Sequence, residues 1–237
     1  MIKDFQIYGE RSSGTNYTMG VFQHVTGLRN KCTFERPHHY GWKHFFYQPR
    51  FTEKIKSGNS YEANKNTFYS DDILFVCIVR DPYDWLHSLF RKRIHLPVEL
   101  SENMEEFLLK EYWTTNRVSV NDKPETENLD DRNYNGERFK NIFEARKEKC
   151  NYLFHTVPKV VKNSVFVNYT TFIQDRESFM KKVCKDFGLP YHEQYPRVRA
   201  TTYPVKNEEI KKIIDDNLDW KLENEMGFFK REGLTAE

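Results

Sequence analysis

A chain of 237 residues is long enough to build one domain around a full hydrophobic core. Its 37 Lys and Arg nearly balance 35 Asp and Glu, for a formal net charge of +2, which argues against the strongly basic surface of a bulk nucleic-acid binder. No apolar run approaches the length of a membrane span and no signal-peptide core follows Met1, so the expectation is a soluble, cytoplasmic protein.

Phe5-Gln6-Ile7-Tyr8 reads as a strand, and Thr15 to about Val25 as the helix that follows it. Gly41-Trp42-Lys43-His44-Phe45-Phe46 is a second strand candidate, and the polar stretch from Arg50 to Asp72 reads as a surface excursion. Leu74-Phe75-Val76-Cys77-Ile78-Val79 is a continuous apolar run, the pattern of a parallel strand buried on both faces. Asp81 and Pro82 are good residues to open a helix, whose face is marked by Trp85, Leu86, Leu89 and Phe90. Ser101 is the expected cap of a helix through Trp113, and residues 114 to 138 read as a long polar loop.

Val165-Phe166-Val167 is a further strand. Phe179, Met180, Val183, Cys184 and Phe187 then line one face of a helix closed by Gly188. A last helix is expected over about Asn207 to Met226. Strands alternating with helices predict an α/β fold, a single domain over 1–237 with a central, mainly parallel sheet flanked by helices. The four cysteines form no C-x-x-C pair, so neither zinc ligation nor a disulfide framework is indicated. Cys77 and Cys184 read as core residues.

The richest segment is Gly9-Glu10-Arg11-Ser12-Ser13-Gly14-Thr15-Asn16-Tyr17. A strand, a turn bounded by glycines and a helix start form a socket for phosphate, because backbone N–H groups and the helix dipole converge on it. A nucleotide-hydrolysing loop has Lys after the second Gly, where this chain has Thr15. Ligands of open parallel sheets bind beyond the carboxyl ends of the strands. Three polar clusters fall at such predicted ends: Arg11 to Tyr17, Lys43-His44, and Arg80. Arg80 and Ser88 together offer charge and a hydroxyl to a second phosphate, a pattern suited to an adenosine 3',5'-bisphosphate. Taken singly, each has a plainer reading: the turn as a helix cap, Arg80 as a partner of Asp81 or Asp84, Ser88 as packing, His44 as a hydrogen-bonded strand-end residue. His38-His39 alternate across a strand and do not suggest a metal site.

Arg11-Ser12-Ser13-Gly14-Thr15-Asn16 and Arg80-Asp81-Pro82 with Ser88 resemble the two phosphate-binding motifs of the sulfotransferases that use 3'-phosphoadenosine-5'-phosphosulfate (PAPS). Residues 165 to 190 resemble that family's late strand, acidic loop and Leu-Pro-terminated helix. The resemblance implies a P-loop-like sulfotransferase fold, PAPS as donor, its bisphosphate (PAP) as product and no metal. It places Arg11, Ser12, Ser13, Gly14, Thr15, Asn16, Tyr17, Arg80 and Ser88 around the donor, with Tyr17 against adenine. His44 is the implied base, and Lys43 and Arg11 the implied charge stabilisers. The family's basic residue directly precedes Ser-Gly-Thr. Here Ser12 stands there and Arg11 lies one place earlier, leaving Lys43 as the alternative for that charge. The acceptor is expected to be a glycan or another polar small molecule, chosen by residues 47 to 72 and 114 to 138. Arg197, Arg199 and Lys206 are candidates to close over the 3'-phosphate. The competing readings are a P-loop kinase using ATP and magnesium, and a non-catalytic nucleotide- or glycan-binding module.

Overall fold

The computed structural model describes residues 1–30, 43–44, 71–93, 95–116, 126–127, 131–133, 135–197 and 207–232. In chain order the strands and α-helices are β1 (Asp4–Gly9), α1 (Thr15–Thr26), β2 (Arg29–Asn30), β3 (Ile73–Val79), α2 (Pro82–Lys92), α3 (Met104–Leu109), β4 (Thr115–Asn116) and β5 (Thr126–Glu127). They continue with α4 (Ile142–Asn151), α5 (Val157–Val160), β6 (Ser164–Asn168), α6 (Tyr169–Gln174), α7 (Arg176–Phe187), α8 (Glu208–Asn217) and α9 (Trp220–Glu225). The chain divides into two compact units, Met1–Asp81 with Asn151–Thr201, and Pro82–Cys150 with Thr202–Glu237.

The first unit is an α/β layer structure. Its sheet has the order β2-β1-β3-β6, and every described pair is parallel. All seven residues of β3 are buried, as the continuous apolar run predicts. One face carries Phe5, Ile7, Leu74, Val76 and Ile78, which pack with Val21, Phe22 and Val25 of α1 and with Phe172, Met180 and Val183 of α6 and α7. On the other face Tyr8 stacks on Phe75, and Phe166 meets Phe154 of a π turn (Tyr152–Thr156) edge-on. Helix α1 buries Thr18, Val21, Phe22 and Val25, the spacing of a single helix face, and ends at Gly27 in the left-handed region. Helix α7 is capped by the Asp175 carboxylate on the Ser178 amide and ends at left-handed Gly188. Cys77, at the centre of β3, has its thiol pKa pushed up by burial.

The second unit is mainly helical. Tyr83, Trp85, Leu86 and Leu89 of α2 pack with Phe107 and Leu108 of α3, Ile142 and Phe143 of α4, and Ile214 of α8. Inside this core the Arg146 guanidinium donates twice to the Glu223 carboxylate, at 2.6 and 2.8 Å, and lies 4.9 Å from the Trp85 ring centroid. Lys149 pairs with Asp131, whose other oxygen accepts from the Thr114 hydroxyl at 2.5 Å.

Several expectations change. Lys43 and His44, the described part of the 41–46 strand, form a turn; the short β2 lies earlier, at Arg29–Asn30. Ser101 caps no helix: its hydroxyl bonds to the Val98 carbonyl in a 3-10 turn, and Asn103 accepts from the Glu105 and Glu106 amides to start α3, which stops at Leu109. The C-terminal helix breaks at Leu218, because Asp219 caps a new helix through the Leu222 amide. In the 114–138 stretch β4 pairs antiparallel with β5, and Arg138 binds Glu127 and Glu111. Of the Arg50–Asp72 excursion only Asp71 and Asp72 are described, tied to Lys162 and Lys3.

Candidate anion-binding site

The site begins where β1 ends. Gly9 touches β3 so closely that a Cβ there would lie 2.5 Å from Ile78 Cγ2 and 2.8 Å from the Ile78 carbonyl oxygen. The chain then folds back on itself: the Ser13 amide and hydroxyl both donate to the Glu10 carbonyl, at 3.2 and 2.7 Å. Ser12 and Gly14 both take left-handed backbone angles, with φ of 66° and 93°. Gly14 is required twice over, since a Cβ would also lie 2.4 Å from the Tyr169 ring. Thr15 opens α1 with no side-chain cap and no acidic residue in its first turn. The first helical bond runs from the Thr18 amide to the Gly14 carbonyl, leaving the amides of Thr15, Asn16 and Tyr17 ahead of it. That end of α1 is built to meet negative charge.

Cationic groups flank the turn. Lys43 donates its ammonium to the Asn16 side-chain oxygen. The Lys43 carbonyl accepts from the Gly9 amide at 2.9 Å, and His44 Nδ1 lies 2.7 Å from the Gly9 carbonyl, so one residue of β1 fixes this turn through both backbone groups. A carbonyl oxygen only accepts, so Nδ1 is the donor in this bond. From the end of β3, Arg80 donates through Nη1 to the Ser12 carbonyl at 3.2 Å. Arg11 is buried within the turn itself.

The structure thus brings Arg11 through Tyr17, Lys43, His44 and Arg80 to the carboxyl side of β1 and β3 in the first unit. Ser13 has its side chain turned fully inward, so its hydroxyl serves the turn. Tyr17 is half-buried: its hydroxyl accepts from Arg176 at 3.2 Å, and its ring meets Tyr169 edge-on. Burial raises the Tyr17 pKa, with Arg176 opposing. Ser88 belongs to the second unit, buried on α2. Arg197 is exposed, while Arg199 and Lys206 lie outside the described residues. Sequence reasoning missed Tyr169 and Arg176. The signal for Tyr169 was its place directly after β6, the same strand-end position that marked Arg80.

Among the described residues no group of three His, Cys, Asp or Glu side chains is placed to hold a metal ion, and no helix is long and apolar enough to cross a membrane. No protein-family model matches the chain, and no curated protein matches it by sequence. Among solved structures the chain is similar to a sulfotransferase from Alicyclobacillus acidocaldarius, at 14% identity, with a TM-score of 0.43 and 97% of each chain covered.

Proposed function

We propose that this protein moves a sulfuryl group from PAPS to a hydroxyl or amine of a polar acceptor, a glycan or another small molecule. The observation that carries the reading is the Arg80–Ser12 bond. It sets a cation from the end of β3 directly onto a glycine-bounded turn that opens an uncapped helix. Two sources of positive potential a few ångströms apart suit a ligand with separated phosphates better than a single anion. Thr15 in place of the P-loop lysine favours this reading over ATP and magnesium.

The donor supplies a sulfuryl group joined to phosphate through a breakable S–O bond. The chain's residues do the rest. The α1 N-terminus and Ser12 to Asn16 hold the 5'-phosphate, with Lys43 and Arg11 countering the charge that grows on it as the bond breaks. Arg80, held at the turn by its bond to the Ser12 carbonyl, takes the 3'-phosphate through its guanidinium. His44, oriented by the Gly9 carbonyl, accepts the acceptor's proton at Nε2 as the new O–S bond forms.

A thermal-shift titration with adenosine 3',5'-bisphosphate tests this, with ATP and magnesium as the control. At a hundred times Kd the bisphosphate stabilises by about 2.7 kcal/mol, and Arg80→Ala removes the shift. A shift with ATP and magnesium alone returns the kinase reading. In a transfer assay His44→Ala lowers kcat by about 10²–10⁴-fold. Bisphosphate binding with no transfer to any acceptor by the wild-type protein identifies a non-catalytic module.

A further inference from the structure

Strand β6 lies beside β3 in parallel register, with Val79 opposite Asn168. The next residues along, Arg80 and Tyr169, therefore leave the sheet side by side. The Arg80 guanidinium carbon lies 5.6 Å from the Tyr169 ring centroid. Another part of that ring occupies the space where a Gly14 Cβ would stand, 2.4 to 2.7 Å from three of its carbons. Tyr17, in the first turn of α1, meets the same ring edge-on with centroids 6.4 Å apart. Tyr169 is itself held firmly. It is buried, and the preceding Asn168 caps α6 by accepting from the Thr170 and Thr171 amides at 3.1 and 3.3 Å. One rigid aromatic plate thus touches the turn, the helix it opens, and the cation from the neighbouring strand.

We propose that Tyr169 is a positioning residue that sets the distance between the Gly9–Gly14 turn and Arg80. The proposal rests on the reading of this site as a holder of two phosphates. A guanidinium over an aromatic face is attracted by the ring quadrupole and restricted to the plane above it, so the ring steers Arg80 as well as supporting it. The ring closes a loop of contacts: Arg80 to the Ser12 carbonyl, Ser12 through Ser13 to Gly14, Gly14 to the ring, the ring back to Arg80. Such a loop fixes one distance, and that distance is what a ligand with two phosphates would measure. The role belongs to the ring's face and edge, not to the hydroxyl.

The test compares Tyr169→Phe, which keeps the ring, with Tyr169→Leu, which keeps a buried apolar group and removes it. Tyr169→Leu is expected to raise the bisphosphate Kd and the donor KM about tenfold or more, with kcat at saturating donor within about threefold of wild type. Tyr169→Phe restores both. A purely structural residue would instead lower the active fraction, cutting apparent kcat with KM unchanged. Equal losses in the Phe and Leu variants would assign the role to the hydroxyl and overturn the proposal, as would unchanged binding in Tyr169→Leu.

A second readout needs neither ligand nor unfolding-prone variant. In the wild-type protein the Arg80 Nε–H resonance should carry a ring-current shift and a high order parameter, both retained in Tyr169→Phe. A freely rotating Arg80 with no ring-current shift overturns the proposal. If the wild type binds no bisphosphate, the functional reading falls, while these resonances still decide whether Tyr169 positions Arg80.

Discussion

Two pairs of buried cations, one pair in each unit, make different kinds of bond. In the second, Arg146 and Lys149 meet the carboxylates of Glu223 and Asp131 inside the core, and Arg146 also lies against Trp85. These contacts join segments distant in the chain and contribute to folding. In the first, Arg80 bonds to the Ser12 carbonyl of the glycine-bounded turn and Lys43 to the Asn16 amide oxygen at the start of α1, both neutral oxygens. The difference is between ion pairs that tie segments together inside a core and cation bonds to a turn and the helix start it leads into.

The largest test of that contrast is Glu223→Ala. It leaves a buried guanidinium uncompensated and should cost about 3–5 kcal/mol in urea denaturation. The double variant Arg146→Met, Glu223→Leu should recover most of the loss, since well-packed apolar side chains often replace such pairs at little cost. A loss below about 1 kcal/mol, the range of exposed pairs, would erase the contrast.

Next comes Gly14→Ala, which combines a left-handed φ with overlap against Tyr169. It should destabilise by about 1–3 kcal/mol and abolish the bisphosphate-induced thermal shift. A variant with native melting and native binding would show that the turn does not need glycine there. Lys43→Met sharpens the comparison from the first unit's side. Stability should fall by less than in Glu223→Ala, while bisphosphate Kd rises. The reverse pattern, a large stability loss with native affinity, would make Lys43 a core cation like Lys149.

The smallest effect concerns pH. The hydrogen bond from Lys147 holds the Asp219 carboxyl below its ordinary pKa. A depressed carboxyl stabilises the folded state fully above the unfolded pKa of about 3.9 and loses that contribution as pH falls through the lower folded value. Asp219→Asn should therefore cost on the order of 0.5 kcal/mol at pH 7 and progressively less below about pH 4. A cost that stays constant across that range would assign the effect to the helix cap alone.

Much of this architecture is legible because it rests on one-dimensional patterns. The β3 run is apolar without interruption because both of its faces are covered, and α1 and α7 show their buried faces at helical spacing. The left-handed closures of α1 and α7 are written as Gly27 and Gly188. Where reading failed, the cause was a competition between neighbours. Ser101 and Asn103 are both good caps, and only the 3-10 turn at Val98–Leu100 takes the serine out of contention. Asp219 restarts a helix whose apolar spacing alone reads as continuous. The 114–138 stretch looked like a loop because it is polar, yet Asp131 is buried there: its partners Thr114 and Lys149 lie on either side of it in the chain. At the candidate site, motif spacing found the turn and Arg80. The ring between them was invisible to spacing, because its role comes from the register of β6 against β3.

That register also orders events in time. Gly9 lies opposite Ile78 and Val79 opposite Asn168, so each step across the sheet joins segments far apart in the chain. Closing such distances is slow compared with winding a helix. During synthesis the glycine turn and α1 emerge before the other parts of the site. Arg80 can reach them only after β3 has been made, and the aromatic plate only after β6. A nascent chain halted before Ser164 would carry the Gly9–Gly14 turn without the Tyr169 ring that lies against Gly14. If the protein holds the bisphosphate as proposed, affinity for it, followed as synthesis proceeds, would act as a clock for completion of the sheet.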